Sequence, residues 1–159
     1  MRKTLLIALS LIVAACSSDY PVSGHFKADD KDSSIRYVRA AKGETYMNGP
    51  TIDFAFTEKD ASDAKDLSAM TVAFSHKYGT AITMNVHKME DGNYEVLECA
   101  FHHSGWENKA GGNSYGALLM KNVIVENGTI SGEVVSPPGL DMFDAKMDID
   151  FKFKAPMPQ

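Results

Sequence analysis

Residues 142–155 read MFDAKMDIDFKFKA. Phe143, Ala145, Met147, Ile149, Phe151 and Phe153 are apolar, and Asp144, Lys146, Asp148, Asp150, Lys152 and Lys154 between them are all charged. A period of two puts each set on its own side of a strand, whereas a helix would scatter both around its circumference. This segment predicts a β-strand with one face on a core and one in water.

Working outward, the rest of the body reads the same way. Gly24 to Ala28 and Ile35 to Ala41 flank the polar turn Asp29 to Ser34, and Thr51 to Thr57 alternates after the turn residues Met47-Asn48-Gly49-Pro50. Val123 to Val125 and Ile130 to Val134 surround Asn127-Gly128, a strong hairpin signal. If Asp91-Gly92 is a two-residue turn, Lys88 pairs with Glu95, Val86 with Leu97, Met84 with Cys99 and Ile82 with Phe101. If Lys77-Tyr78-Gly79 is a three-residue loop, Phe74 pairs with Ile82, Val72 with Met84 and Met70 with Val86. Both turns place the same residues inward, which predicts a three-stranded antiparallel meander from about Met70 to His103. Asp60 to Ala69 is the one helical candidate, short and exposed. The expected class is all-β: an antiparallel β-sandwich of roughly seven to nine strands, with a β-barrel as the alternative and at most one short helix.

The N-terminus carries a different signal. Met1-Arg2-Lys3 is basic, and Thr4 to Ala15 is uncharged and mostly aliphatic. That is the n-region and h-region of an export signal, and the run falls short of the roughly 20 residues a membrane-spanning helix needs. It ends in Val13-Ala14-Ala15-Cys16, which resembles the lipobox of bacterial lipoproteins. The resemblance implies cleavage before Cys16, diacylglycerol and a further acyl chain (palmitate) on that residue, and attachment to a membrane of the cell envelope. Ser17 after the cysteine implies the outer membrane if the host is Gram-negative. An ordinary signal peptide cut at a small-x-small site would leave Cys16 incidental. The expected organisation is a signal over 1–15, a lipidated tether over 16–23 and one β-rich domain over 24–159.

Loss of the signal leaves 144 of the 159 residues and removes two cationic groups, so the formal charge of -5 becomes -7. An acidic body disfavours nucleic acid as a partner. Cys99 is then the only thiol; it shares a strand face with Leu97 and Phe101, which reads as an inert core residue rather than a nucleophile. The body also resembles small, uncharacterised β-rich bacterial envelope proteins, in Thr51-Ile52-Asp53-Phe54-Ala55-Phe56-Thr57-Glu58-Lys59 and in the ending Phe151-Lys152-Phe153-Lys154-Ala155-Pro156. That resemblance implies no activity.

Chemistry-bearing patterns are few. Of five histidines, only His76 and His103 would share a row and a face of the meander, about 9.6 Å apart at two strand spacings. That is wide for one zinc ion, and rim or surface histidines is the alternative. Among nine methionines, Met70, Met84 and Met147 fall on expected core faces. The polar, glycine-rich loop from Ser104 to Tyr115 carries Trp106, Asn108, Lys109 and Tyr115 and is the candidate recognition element; otherwise Trp106 folds back on the sheet edge. No zinc-protease motif, phosphate loop or dinucleotide fingerprint is present. No cofactor is implied.

Three functions follow as expectations. One is a noncatalytic, lipid-anchored binding module for a protein or glycan partner, of which an inhibitor or immunity protein against an envelope-targeting toxin is one case. Another is a metal-handling lipoprotein, for zinc or copper. The third is a hydrolase, which would need a pocket lined by carboxylates.

Overall fold

The computed structural model describes residues 21–47, 49–106, 110–114 and 116–159. The opening segment forms the longest strand of the fold, β11 (Ala145–Pro156), whose residues alternate buried and exposed along its whole length. Its first three residues do not belong to it. Phe143 and Asp144 have φ of 55° and 57° and turn the chain between β10 (Asp141–Met142) and β11. Phe143 leaves the strand face and packs over Gly111, where a Cβ would collide with the ring.

β11 lies between β1 (Val22–Ala28) and β9 (Thr129–Val135), antiparallel to both. β2 (Lys31–Ser33) extends the sheet beyond β1, and β8 (Leu119–Glu126) extends it beyond β9. Asn127 and Gly128, with φ of 49° and 72°, make the expected tight β8–β9 turn. The second sheet runs β3 (Tyr37–Tyr46), β4 (Gly49–Thr57), β5 (Ala81–Lys88), β6 (Tyr94–His102) and β7 (Ala110–Ser114) in that order, with every neighbouring pair antiparallel.

The inward faces share one core. Phe56 meets Phe151 with ring centroids 4.8 Å apart and Phe153 at 5.2 Å, and Phe54 meets Phe153 at 5.5 Å. Ile82, Met84, Val86, Cys99 and Phe101 join them from β5 and β6, all buried. Each such aliphatic or aromatic side chain removed from water contributes about 1.5–3 kcal/mol. The fold is therefore all-β and sandwich-like, with two open antiparallel sheets and no closed barrel. The described residues hold eleven strands, more than the seven to nine expected, because short pieces such as β2, β7 and β10 pair with longer neighbours. They hold no helix: Asp60 to Ala69 is a run of turns and bends.

The meander is half right. Ile82 pairs with Phe101 and Met84 with Cys99. Leu97 is then an additional residue on β6, so Val86 faces Val96 and Lys88 faces Tyr94. A bulge of this kind shifts the register by one. It accompanies a wider turn, in which Asp91 Oδ1 accepts from the Asn93 amide and the Gly92 amide donates to the Met89 carbonyl. The third strand does not exist. Residues 58–80 form no strand, and β4 takes the place beside β5. Met70 is 72% exposed, while Val72 and Ala73 are buried outside the main core.

Those residues form a second, smaller core. Ala61, Ala64, Leu67, Val72, Ala73 and Tyr78 of the 58–80 connector pack on the outward face of the five-stranded sheet, over Ala55, Ala81 and Ala100. Methyl side chains on the sheet let the connector approach closely. Arg39 donates through Nη1 to the carbonyls of Ala61 (2.7 Å) and Ala64 (2.9 Å), and Asp63 accepts from the Tyr78 hydroxyl at 3.0 Å. The connector covers only part of the face.

Candidate functional site

What the connector leaves uncovered is an open groove of about 570 Å³. Its floor is the outward face of β4, β5 and β6. The register sets Asp53, Asn85 and Glu98 in one cross-strand row and Ala55, Thr83 and Ala100 in the next. One wall is the end of β3, from Glu44 to Tyr46; the other is the connector from Asp66 to Met70.

The floor is internally wired. Asn85 Nδ2 donates to Asp53 Oδ1 at 2.6 Å and to Thr51 Oγ1 at 3.1 Å. The Thr51 hydroxyl in turn donates to the Glu44 carbonyl. Gly43 is what admits this cluster, since a Cβ there would lie 2.9 Å from both Asn85 Nδ2 and Asp53 Oδ1, and closer still to Thr51 Oγ1. Both amide hydrogens of Asn85 and the hydroxyl proton of Thr51 are thereby spent inside the floor. Thr83 is only 6% exposed, and its hydroxyl has no hydrogen-bond partner among the described residues. On the connector wall, the Ser68 hydroxyl donates to Asp66 Oδ1 at 2.6 Å and the Ser68 amide at 3.1 Å. The Ser68 and Thr71 hydroxyls, with that amide, hold the Asp66 carboxyl down to about 2. Acidic residues of β3, β4, β6 and the connector thus line the groove, and no Lys, Arg or His among the described residues does.

The residues singled out from sequence lie elsewhere. Trp106 is buried, edge-on to Phe26 at 6.3 Å and 5.8 Å from the His103 ring. Its amide donates to the His103 carbonyl. Asn108, Lys109 and Tyr115 fall outside the described residues, as does Cys16. The latter half of the expected loop is β7, whose Gly111 pairs with Phe101 beneath the Phe143 ring.

His76 and His103 are not brought together on one face. With no strand over 70–76, His76 sits in a turn (φ 60°) and stacks on His102 instead, with centroids 4.0 Å apart and planes within 8°. His103 turns into the core. Its Nδ1 accepts from the Gly105 amide at 3.0 Å, so the proton is on Nε2, which donates to the Phe26 carbonyl at 3.2 Å. Burial holds this imidazole below its usual range. No three His, Cys, Asp or Glu side chains among the described residues converge to hold a metal ion. Cys99 is 2% exposed on the core face, and Met84 and Met147 are buried as expected.

A hydrogen-bonded clasp joins the two sheets near His103. Ser33 of β2 and Thr80 share a hydrogen bond of 2.6 Å, and Thr80 Oγ1 donates to Ser104 Oγ at 2.9 Å. Glu58 accepts from the Thr80 amide at 2.9 Å, and Lys31 donates to the Gly105 carbonyl. Partial burial pushes the Glu58 carboxyl up, but the Thr80 amide, the Ser104 and Thr80 hydroxyls and Lys59 outweigh it and hold it below the usual carboxylate range.

The groove residues were not singled out from sequence. A signal was present, since the outward positions of β5 read Ala81, Thr83, Asn85 and His87, with none of the Lys and Asp found outward on β11. Comparison with protein-family models, with curated proteins and with solved structures returns no match.

Proposed function

We propose that this chain is a lipid-anchored protein of the cell envelope whose β domain is a noncatalytic binding module for a protein or glycan partner. The observation that carries the binding role is the groove: concave, open, about 570 Å³ and with a floor built on a sheet. Sites of this volume and shape take ligands, and a rigid floor keeps the ordering cost of binding low. The anchor rests on Val13-Ala14-Ala15-Cys16. Acyl chains on Cys16 would hold the domain at a membrane, since each buried methylene contributes about 0.8 kcal/mol. Ser17 supports the outer membrane in a Gram-negative host.

Two variants test the two halves separately. Cys16→Ser is expected to move the protein from the membrane fraction to the soluble fraction while the domain stays folded. Full retention in membranes ends the lipoprotein reading. Glu98→Trp sets a bulky ring at the mouth of the groove from an exposed position. It is expected to abolish specific capture from envelope extract; capture of the same partners by this variant moves the binding surface elsewhere, with Asn108, Lys109 and Tyr115 next in line.

The carboxylate lining also admits a second reading, a hydrolase working through paired carboxyl groups. With its carboxyl displaced downward, Asp66 would be the ionised member of such a pair and not its general acid.

A further inference from the structure

We infer that the groove takes an organic cation carried on an apolar stem, the chemistry shared by polyamines and by the Lys or Arg side chains of a partner protein. This rests on the reading of the domain as a binding module.

The first argument is a count of donors and acceptors. Apart from the Thr83 hydroxyl, the donors of the floor are already committed: Asn85 Nδ2 to Asp53 and Thr51, and the Thr51 hydroxyl to Glu44. Left facing the groove are acceptors: the second carboxylate oxygen of Asp53, the Asn85 carbonyl oxygen and the Glu98 carboxylate. A ligand that satisfies them must donate. The second argument is Thr83. This hydroxyl, on a residue only 6% exposed and with no hydrogen-bond partner among the described residues, opens on the groove and can accept from a donor there. It stands on the floor between the methyl groups of Ala55 and Ala100.

Charge and shape narrow the ligand. The acidic residues Glu44, Asp53, Asp66 and Glu98 come from four segments, with no cationic side chain among the described lining residues to neutralise them. Yet no three ligating side chains among the described residues gather for a compact metal ion. Negative charge spread along a groove suits an elongated cation better than a point charge. The connector wall is apolar at Leu67, Ala69 and Met70. Met70 is mostly exposed at the rim. Such a wall fits methylene stems, and Tyr46, whose ring meets His87 at 5.5 Å, stands opposite it.

Calorimetric titration of the full chain in mild detergent tests this, with spermidine alone and, separately, with a peptide of alternating lysine and glycine. Binding by one or both is expected, weakening as salt rises. Asp53→Asn and Glu98→Gln are each expected to weaken it roughly threefold to tenfold. Asp150→Asn, on the outward face of the other sheet, leaves it unchanged. Asp53→Asn keeps an oxygen to accept from Asn85; should that variant fail to fold, the exposed Glu98→Gln carries the comparison. Tighter binding of the peptide assigns the site to a partner protein, and tighter binding of spermidine assigns it to a free polyamine. Absence of binding by both, binding unaffected by Glu98→Gln, or stoichiometric uptake of calcium lost in the same variants overturns the inference. If Glu98→Trp still abolishes capture while neither cation binds, the ligand chemistry is wrong and the binding-module reading stands.

Discussion

β11 and β5 both alternate, and both bury their inward residues in the same core, but their outward residues differ in kind. On β11 these are Lys146, Asp148, Asp150, Lys152 and Lys154, all exposed; on β5 they are Ala81, Thr83, Asn85 and His87, of which none is exposed and the first two are buried. A charged outward face needs nothing but water. A face of methyl, hydroxyl and amide groups is complete only when something else covers it. Here the 58–80 connector covers the alanine end, and the remaining polar end is the groove. The size and charge of outward residues therefore tell which sheet face carries a second layer.

The largest effect that could break this contrast comes from Ala55, buried beneath the connector at 1% exposure. Ala55→Lys puts an ammonium under Ala61 and Leu67, beside Arg39, its β3 partner. An unpaired charge there is expected to cost about 3 kcal/mol or to lift the connector off the sheet. Denaturant melting measures the first outcome, and limited proteolysis within residues 58–80 the second. A fully stable, protease-resistant variant would mean that the connector is not a packed layer.

Next comes Arg39 itself. Arg39→Met keeps the stem and removes the donors to the Ala61 and Ala64 carbonyls. Hydrogen bonds from a charged group are worth about 1.5–3 kcal/mol each in favourable cases. We expect about 2 kcal/mol for the pair, felt locally: faster amide exchange over residues 61–73 with β11 unchanged. Equal acceleration in both regions would show that the connector and the sandwich core open as one unit.

The same contrast explains what was legible from sequence. β11 and the β8–β9 hairpin are short-range patterns, and the Met84–Cys99 and Ile82–Phe101 pairs followed from matching two such patterns across a turn. Met70, Val72 and Phe74 mimic a strand face at the same period. Period two says only which residues share a side, not which sheet the side belongs to. Val72 is buried, but on the outer layer, and Met70 is in water. The uncharged outward residues of β5 are the one sequence signal of the groove; its acidic residues come from segments 54 residues apart, Glu44 to Glu98, brought together only by sheet order. Trp106 drew notice as an isolated aromatic in a polar stretch. Its ring closes the core beside Phe26, a role that needs knowledge of where β1 lies.

The clasp between the sheets gives a smaller, pH-dependent effect. His103 has a folded-state pKa below its ordinary 6.5 because it is buried. The unfolded imidazole therefore takes up a proton first, and stability declines as pH falls below 6.5 toward the folded value. Glu58, partly buried yet more strongly hydrogen bonded, sits below its ordinary 4.5. Its contribution is fully present above 4.5 and is lost as pH falls through the folded value. Melting temperature plotted against pH is expected to drop in two stages. His103→Gln flattens the upper stage and Glu58→Gln the lower. If Glu58→Gln leaves the acid limb unchanged, the clasp carboxylate does not contribute to holding β2 against the second sheet.

The smallest effect is expected on the face that water alone covers. Lys152 lies 3.4 Å from Glu133 of the neighbouring β9, with its side chain 72% exposed. An ion pair that open is screened by solvent, and holding its long side chains in place costs entropy. Lys152→Ala is expected to change stability by no more than about 0.5 kcal/mol in a chemical melt, against the roughly sixfold larger cost of Ala55→Lys. Both substitutions exchange a lysine and an alanine at an outward strand position, one in each direction. Their ratio therefore measures the covering layer rather than the residue type. Comparable losses at the two sites would put a second layer on β11 as well, and the contrast between the sheets would fail.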